Sequence, residues 1–214
     1  MATARSSAAA ASVPSATGVK HEALVAQKRA AIAGACVPLF HSQGYHATTT
    51  RQIAAAAGMT MGGLYLYIRE KSDCLRFILD SIHEDVVALG TVADDLPADE
   101  ALRRVVVDII EGVHRHRREI LVLDQARDVL LATAPAEAVG YEQHVVQRIE
   151  QLLRRGTADG VFGDDADPWQ TALAIFWQCG LWVYRYERLR ARGDVSAFAQ
   201  RQADLLLGGL LRRD

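Results

Sequence analysis

Apolar residues recur at helical spacing along most of this chain. From Val25, the positions Ile32, Cys36, Leu39 and Phe40 follow at steps of seven, four, three and one residues, which places them on one face of a helix. No sustained alternation of apolar and polar residues is bounded by the dipeptides of a hairpin turn. The pattern therefore predicts an all-α protein.

Turn and capping residues divide this pattern into predicted helices. Their ranges are 19–42, 50–57, 61–67, 73–89, 98–117, 118–132, 136–159, 168–190 and 196–213. Inside the first helix, Pro38 lacks the N–H that would bond to the carbonyl of Gly34, so we expect a bend between these two residues. Ser72 is expected to cap the fourth helix.

The second and third predicted helices meet at Gly58. Thr49 and Gln52 have the spacing of a capping box at the start of the second helix, and Thr60 is placed to cap the third. Ala54 is small enough to let the two helix backbones approach closely. The segment is thus predicted to be a helix-turn-helix, which presents its second helix to a DNA major groove.

The distribution of charge supports this interpretation, although the total does not. The chain has 24 Lys and Arg against 26 Asp and Glu, and its formal net charge of −2 gives no sign of nucleic-acid binding. Residues 1–72, however, include seven basic and two acidic residues, a net charge of +5, whereas the remainder has a net charge of −7. This asymmetry indicates an anionic partner for the N-terminal part.

Other kinds of site find little support. Cys36, Cys74 and Cys179 are odd in number and form no CxxC pair, so we expect neither a disulfide framework nor a zinc site, and a reducing cytoplasm. His114 and His116 are two apart and face different sides of a helix, which opposes a metal site. No Gly-rich phosphate loop or catalytic grouping stands out, so no catalytic residue, cofactor or enzyme activity is expected. We also expect no membrane contact, because no apolar run approaches about 18 residues.

The segment 33–75 resembles the TetR family of bacterial transcriptional regulators. The resemblance rests on residues in matching order and spacing: Leu39, Phe40, Gly44, Tyr45, Thr48, Thr49, Ile53, Ala54, Ala57, Gly58, Thr60, Gly62, Leu64, Tyr65, Tyr67, Lys71 and Leu75. The helical remainder and the length of 214 residues are also similar to that family. It implies an N-terminal three-helix DNA-binding domain followed by a helical bundle for ligand binding and dimerisation.

The resemblance also implies which residues contact DNA. The expected DNA-binding residues are Thr49, Thr50, Arg51, Thr60, Met61, Gly62, Gly63, Tyr65, Leu66, Tyr67 and Lys71. Thr49, Lys71 and Tyr65 are expected to contact phosphates, and Arg51 to reach a guanine edge. Gly62 and Gly63 depart from the polar residues frequent in the family, so direct reading of bases should be sparse and DNA shape should contribute to specificity.

In the C-terminal part, the resemblance implies an effector pocket and a four-helix dimer interface. The expected pocket residues are Phe77, Ile78, Ser81, Ile109, Ile110, His114, Leu121, Gln125 and Phe176. The expected dimer residues are Leu173, Trp177, Leu181, Leu206 and Leu210. For each pocket residue, a place in an ordinary core is the alternative. A faint resemblance to members that sense acyl thioesters or fatty acids favours a small hydrophobic effector of acyl type.

These observations predict three regions and one function. The regions are a disordered tail at 1–18, a helix-turn-helix DNA-binding domain at 19–72 and an effector-binding and dimerisation domain at 73–214. The predicted protein is a ligand-responsive repressor that binds a pseudo-palindromic double-stranded DNA operator as a homodimer and is released by its effector. A transcriptional activator of the same family is one alternative. A helical small-molecule-binding protein or enzyme is the other.

Overall fold

The computed structural model describes residues 16–90 and 95–212, and within these ranges the chain is helical apart from turns and one isolated bridge between Phe162 and Leu211. The all-α prediction is therefore confirmed. The helices are α1 (Ala16–Gln43), α2 (Thr50–Ala56), α3 (Met61–Leu64), α4 (Asp73–Gly90), α5 (Ala98–Arg115), α6 (Arg117–Gln125), α7 (Arg127–Thr133), α8 (Pro135–Ala158), α9 (Pro168–Cys179), α10 (Leu181–Tyr184), α11 (Tyr186–Leu189) and α12 (Val195–Leu210), with a 3₁₀ turn at Arg190–Arg192. Most of the predicted tail lies outside the described residues.

Two predicted helices are each divided in the structure. The predicted helix 118–132 is interrupted at Ala126 (φ −110°, ψ 22°), and the predicted helix 168–190 is interrupted at Gly180 and again at Arg185 (φ −120°, ψ 21°). The third helix, α3, ends at Leu64 instead of residue 67. Single-residue breaks of this kind need neither proline nor a left-handed backbone, so the apolar period continues across them and conceals them.

The first helix continues without interruption through Pro38. Pro38 and Gly34 are both exposed, so water can bond to the Gly34 carbonyl that the proline leaves without a partner. The bend expected here stays a prediction.

The expectation that no apolar run approaches about 18 residues does not hold for α1. Over His21–Gln43 the helix is long and apolar enough to cross a membrane by length and composition alone. A single helix of this kind is weak evidence for a membrane segment. The side chains of Ile32, Cys36 and Phe40 are buried against the following helices, although only 28% of the most apolar stretch is buried inside the structure.

Two hydrophobic clusters organise the molecule, and we name them the head core and the body core. The head core joins buried residues of α1 to α4, such as Ile53 and Leu75, with Val122, Ala126 and Leu130 of α6 and α7. The body core joins α5, α8, α9, α10 and α12. The packing of the helix-turn-helix therefore continues past residue 72, the predicted domain boundary, into the C-terminal part of the chain.

Candidate nucleic-acid interface and effector cavity

Side-chain caps hold the two helices of the motif. The Gln52 N–H donates to Thr49 Oγ1 (3.3 Å) while the Thr49 N–H donates to Gln52 Oε1 (2.8 Å), so the predicted capping box is confirmed. The Gly63 N–H donates to Thr60 Oγ1 (3.1 Å), which confirms the cap of α3. These bonds satisfy N–H groups that have no partner inside the helices and fix where each helix begins.

The turn between α2 and α3 depends on a left-handed glycine. Gly58 has φ +65°, its N–H donates to the Ala55 carbonyl (3.2 Å), and the Met59 N–H donates to the Ala54 carbonyl (2.8 Å). This paired pattern is a Schellman motif, which ends α2 and redirects the chain into α3. Leu64 is fully buried in the head core and anchors α3 there.

The outer surface of the motif presents most of the predicted DNA-binding residues. Arg51 is exposed, and at the end of α3 the side chains of Tyr65 and Leu66 are 50% and 81% exposed. The Thr50 and Tyr65 hydroxyl oxygens are 3.4 Å apart, which places the first turn of α2 beside the end of α3. Of the remaining predicted residues, Thr49, Thr60 and Gly62 are exposed, and Met61, Gly63 and Tyr67 are half-buried. Their contacts with DNA stay predictions.

Two residues before α4 differ from expectation. The Lys71 ammonium donates to the carbonyls of Tyr45 (2.7 Å), His46 (3.2 Å) and Thr48 (2.9 Å), which occupies all three of its N–H groups and opposes the predicted phosphate contact. The hydroxyl of Ser72 donates to Glu70 Oε1 (2.6 Å) instead of capping α4, so that prediction was wrong.

A cavity of about 120 Å³ lies between the helices of the C-terminal part. It is lined by Leu79, Ile109, Val113, Ile120, Leu123, Asp124, Arg127, Leu130, Ala138, Tyr141, Glu142, Phe176, Trp177, Gly180, Val183 and Tyr184. Most of this lining is apolar, and the charged groups are Asp124, Arg127 and Glu142. Burial raises the pKa of Tyr141 to about 12, so its hydroxyl stays a neutral donor at any physiological pH.

The structure brings only Ile109 and Phe176 of the predicted pocket residues to this cavity. Phe77 and Ile78 belong to the head core, and Ile110 belongs to the body core. Consecutive residues of a helix point about 100° apart, so Ile109 and Ile110 cannot face the same space, and apolar period alone does not say which one faces it.

The other four predicted pocket residues also lie elsewhere. Leu121 packs against the body core, and the hydroxyl of Ser81 donates to the Ile78 carbonyl (2.6 Å) of its own helix. Gln125 is exposed, and His114 Nδ1 accepts a hydrogen bond from Trp182 Nε1 (2.8 Å). The sequence reasoning missed Tyr141 and Tyr184, whose single signal was a hydroxyl within an otherwise apolar helical stripe.

Part of the cavity wall also belongs to the head core. Leu79 of α4, Leu123 of α6 and Leu130 of α7 line the cavity and pack in or against the head core. A displacement of these side chains would therefore change both the shape of the cavity and the packing of the head core, which includes the helix-turn-helix.

Several large apolar side chains are exposed on α9, α10 and α12, and we call this set of residues the exposed stripe. It includes Trp169 (51% exposed), Trp177, Leu181, Tyr184 and Leu205 (69% exposed). Of the predicted dimer residues, Trp177 and Leu181 belong to this stripe, whereas Leu173, Leu206 and Leu210 are half-buried against the body core. Large apolar patches of this kind mark association surfaces.

Among the described residues, no group of three or more His, Cys, Asp or Glu side chains could hold a metal ion. Cys36, Cys74 and Cys179 are free, buried thiols. The hydrogen bond with Cys74 and then burial raise the pKa of the Cys36 thiol, so the Cys36 sulfur stays protonated.

Comparison with known proteins identifies both halves of the chain. Residues 32–77 match the family model of bacterial regulatory proteins of the tetR family, and residues 95–210 match that of the tetracyclin repressor-like C-terminal domain. The transcriptional repressor KstR2 of Rhodococcus jostii is 27% identical over 180 residues, which cover 80% of this chain and 85% of KstR2.

Solved structures share the whole fold. A tetR-family regulatory protein from Rhodococcus RHA1 superposes with a TM-score of 0.75 at 26% identity and covers 87% of this chain and 98% of its own. AibR, solved in complex with isovaleryl coenzyme A and operator DNA, superposes with a TM-score of 0.66 at 24% identity and covers 86% of this chain and 98% of its own.

Proposed function

Since this chain belongs to the TetR family of bacterial transcriptional regulators, we propose that it is a repressor that binds operator DNA as a homodimer and releases it when a small hydrophobic effector occupies the cavity. The observation that favours ligand control is the shared wall of Leu79, Leu123 and Leu130, which joins the cavity to the head core. The name of the relative KstR2, a transcriptional repressor, favours repression over activation. We place the protein in the cytoplasm, where bacterial DNA is accessible to it.

The N-terminal part of the chain with helices α1 to α3, which we call the head, supplies the proposed DNA contacts; the remainder is the body. Arg51 extends from the exposed first turn of α2 and would pair with the O6 and N7 of a guanine. Leu66 is exposed at the end of α3 and would contact a thymine methyl group, while the Tyr65 hydroxyl would bind a phosphate. With two glycines in α3, few side chains remain for base hydrogen bonds, so much of the specificity would come from DNA shape.

Dimerisation would use the exposed stripe on α9, α10 and α12. Two heads must be about 34–36 Å apart to occupy successive major grooves of a pseudo-palindrome. Burial of Trp169, Trp177 and Leu205 between two copies would remove from water the largest apolar side chains that this surface exposes.

The effector would act by widening the cavity. Its volume of about 120 Å³ is smaller than the ~300–1,000 Å³ of typical ligand pockets. An effector of ordinary size must therefore displace the lining helices, among them α4 and α6, which also pack in the head core. An effector that prefers the displaced arrangement shifts the population away from the DNA-binding one.

The surroundings of the cavity favour an acyl thioester with a phosphorylated group. A cleft beside the cavity is lined by Arg117, Tyr184, Arg185, Tyr186, Glu187 and Arg188, so Tyr184 borders both spaces. Glu187 already pairs with Arg190 (2.7 Å), which leaves the cleft with an excess of positive charge. An acyl chain in the apolar cavity and phosphates on these arginines would match the two environments, as in the isovaleryl coenzyme A bound by the structural relative AibR.

Binding to the DNA upstream of its own gene tests the proposed function. We expect the purified protein to shift this DNA. Arg51→Ala removes one base contact of ~1–3 kcal/mol from each head of the dimer and should weaken binding by about 30-fold or more. Arg192→Ala, which removes an exposed arginine from the 3₁₀ turn of the body, is the matched control and should leave affinity unchanged. Absence of any shift at low salt would contradict the DNA-binding proposal, and a reporter whose expression falls when the gene is deleted would indicate an activator.

Release from DNA tests the effector. Octanoic acid, octanoyl coenzyme A and coenzyme A alone should be compared, and we expect octanoyl coenzyme A to release the operator most strongly. Ala138→Phe fills the cavity and should abolish release, whereas Ala158→Phe, at an exposed position of the same helix, should not. Equal potency of octanoic acid and octanoyl coenzyme A would contradict the role of the arginine cleft.

A further inference from the structure

Lys71 occupies an unusual position for a basic residue of a DNA-binding head. Its ammonium lies among three backbone carbonyls of one turn, those of Tyr45, His46 and Thr48, at 2.7, 3.2 and 2.9 Å. It also lies 4.3 Å from the centre of the Tyr45 ring, within range of a cation–π contact. An ammonium has three N–H donors, so none is left for a DNA phosphate.

We propose that Lys71 is a positioning residue that ties the start of α4 to the turn before α2 and thereby fixes the orientation of the DNA-reading helices. The proposal rests on the proposed function, because it concerns the same DNA contact. It assigns to Lys71 an effect on DNA affinity that is exerted through the protein backbone and not through a phosphate.

The turn that Lys71 holds leads directly into α2. The Thr48 hydroxyl donates to the Gly44 carbonyl (2.8 Å) and accepts from Gln43 Nε2 (3.1 Å), and the next residue, Thr49, is the N-cap of α2. The Thr48 carbonyl held by Lys71 is therefore adjacent to the residue where the DNA-facing helix begins. The Tyr45 carbonyl also accepts the Thr48 N–H (3.2 Å). Loss of the ammonium would remove the donor shared by the Tyr45, His46 and Thr48 carbonyls, and the mutual repulsion of these three oxygens would open the turn.

The residues just before Lys71 are also held to the start of α4. The carboxylate of Asp73, the first residue of α4, accepts the N–H groups of Arg69 (2.7 Å) and Glu70 (3.2 Å) through Oδ2. The backbone on both sides of Lys71 is thus fixed to α4, and Lys71 extends that connection to α2. A displacement of the first turn of α4 would move the helix-turn-helix with it.

The salt dependence of operator binding separates positioning from a phosphate contact. A lysine that neutralises one phosphate adds about 0.9 to the slope of log K against log salt concentration. We expect Lys71→Met to weaken binding by roughly tenfold or more, as for loss of one charge-assisted hydrogen bond, with the slope unchanged relative to Lys28→Met. Lys28 is an exposed lysine of α1, so this control removes the same charge from the head. Because a homodimer contains two copies of Lys71, a slope lower by about 1.8 in Lys71→Met alone would overturn the proposal.

A double-mutant cycle adds a second criterion. Tyr45→Leu removes the ring that faces the ammonium and disturbs the same turn. If Lys71 acts through this turn, the effects of Tyr45→Leu and Lys71→Met on operator affinity will be less than additive. Fully additive effects would contradict action through the turn.

Chemical acetylation of the unmodified protein gives a test that does not depend on the folding of a variant. The chain has three lysines, Lys20, Lys28 and Lys71, so mass spectrometry can follow each one during reaction with N-hydroxysuccinimide acetate. Burial lowers the pKa of Lys71, and an accessible Lys71 would therefore react faster than Lys28. We expect Lys71 to be protected relative to Lys28 both with and without operator DNA. Protection that requires DNA would overturn the proposal, whereas absence of DNA binding by the wild-type protein would instead contradict the proposed function.

Discussion

Alanine at Gly58 and alanine at Gly62 are expected to change the stability of the head in opposite directions. A Cβ atom built at either glycine meets nothing within 4 Å, so neither substitution introduces a clash. The two sites differ in backbone conformation, because Gly58 has φ +65° whereas Gly62 lies within the α3 helix. The pair therefore isolates the backbone contribution from that of packing.

The magnitudes follow from this difference. A left-handed residue other than glycine costs about 1–2 kcal/mol, so Gly58→Ala should destabilise the head by that amount. Alanine is favoured over glycine inside a helix by about 0.8–1.0 kcal/mol, so Gly62→Ala should stabilise it by up to ~1 kcal/mol. The two variants should then differ by roughly 2–3 kcal/mol, and Gly58→Asn should fall between Gly58→Ala and the wild type because asparagine tolerates this conformation.

Native-state hydrogen exchange can measure these changes within the head alone. The Ala57 N–H donates to the Ile53 carbonyl (2.9 Å) and the Leu64 N–H donates to the Thr60 carbonyl (2.9 Å), so their exchange rates report the opening free energies of α2 and α3. If Gly58→Ala leaves both amides as protected as in the wild type, the turn does not require a left-handed residue and the reasoning is refuted. We also expect Gly62→Ala to bind operator DNA more weakly despite its greater stability, because the added methyl group lies on the exposed side of α3.

Three further outcomes can be measured on the intact protein. Thr49→Ala removes the N-cap of α2 and should lower the free energy of unfolding of the head by about 1 kcal/mol. Hydrogen exchange of the head amides should detect this loss of stability, and Thr49→Ser, which keeps the capping hydroxyl, should not show it. The hydrogen bond with His116 (2.7 Å) is the first cause that holds the pKa of Asp85 below its ordinary value of 3.8. The Asp85 carboxylate therefore stabilises the fold above that pH, and this contribution is lost as the pH falls further. The difference in thermal midpoint between wild type and Asp85→Asn should be present at pH 7 and shrink at pH 3, and a difference that is constant with pH would contradict this. Trp182→Phe removes the donor to His114 Nδ1 (2.8 Å) in the body core and should lower the free energy of unfolding by about 1 kcal/mol or more. The urea midpoint should fall accordingly. The same midpoint as wild type would show that this hydrogen bond does not stabilise the fold.

Local chemistry made the DNA-binding motif predictable. Capping boxes, a glycine in a left-handed turn and small residues at a helix crossing act over a few positions, so Thr49, Gln52 and Gly58 can be interpreted from the sequence and have these roles in the structure. The charge asymmetry between the first 72 residues and the rest is likewise a property of the sequence. The family resemblance follows from the same short segment.

Tertiary packing decided what the sequence left open. Helical period identifies an apolar face but not its neighbour. The sequence therefore could not tell that, of two residues that both belong to the body core, Ile109 lines the cavity and Ile110 does not. It also could not show that α6 and α7 complete the head core, because that contact joins residues far apart in the chain.

The basic residues also show which properties depend on the sequence alone and which depend on the tertiary structure. Sequence alone determined that the N-terminal part is basic and contains a helix-turn-helix, because charge and capping depend only on residue type and short spacing. Only the tertiary structure decided that Lys71 is enclosed by the carbonyls of Tyr45, His46 and Thr48, more than twenty residues earlier in the chain. A charge is fixed by the residue, but whether that charge faces solvent or the protein backbone depends on which distant segment folds against it.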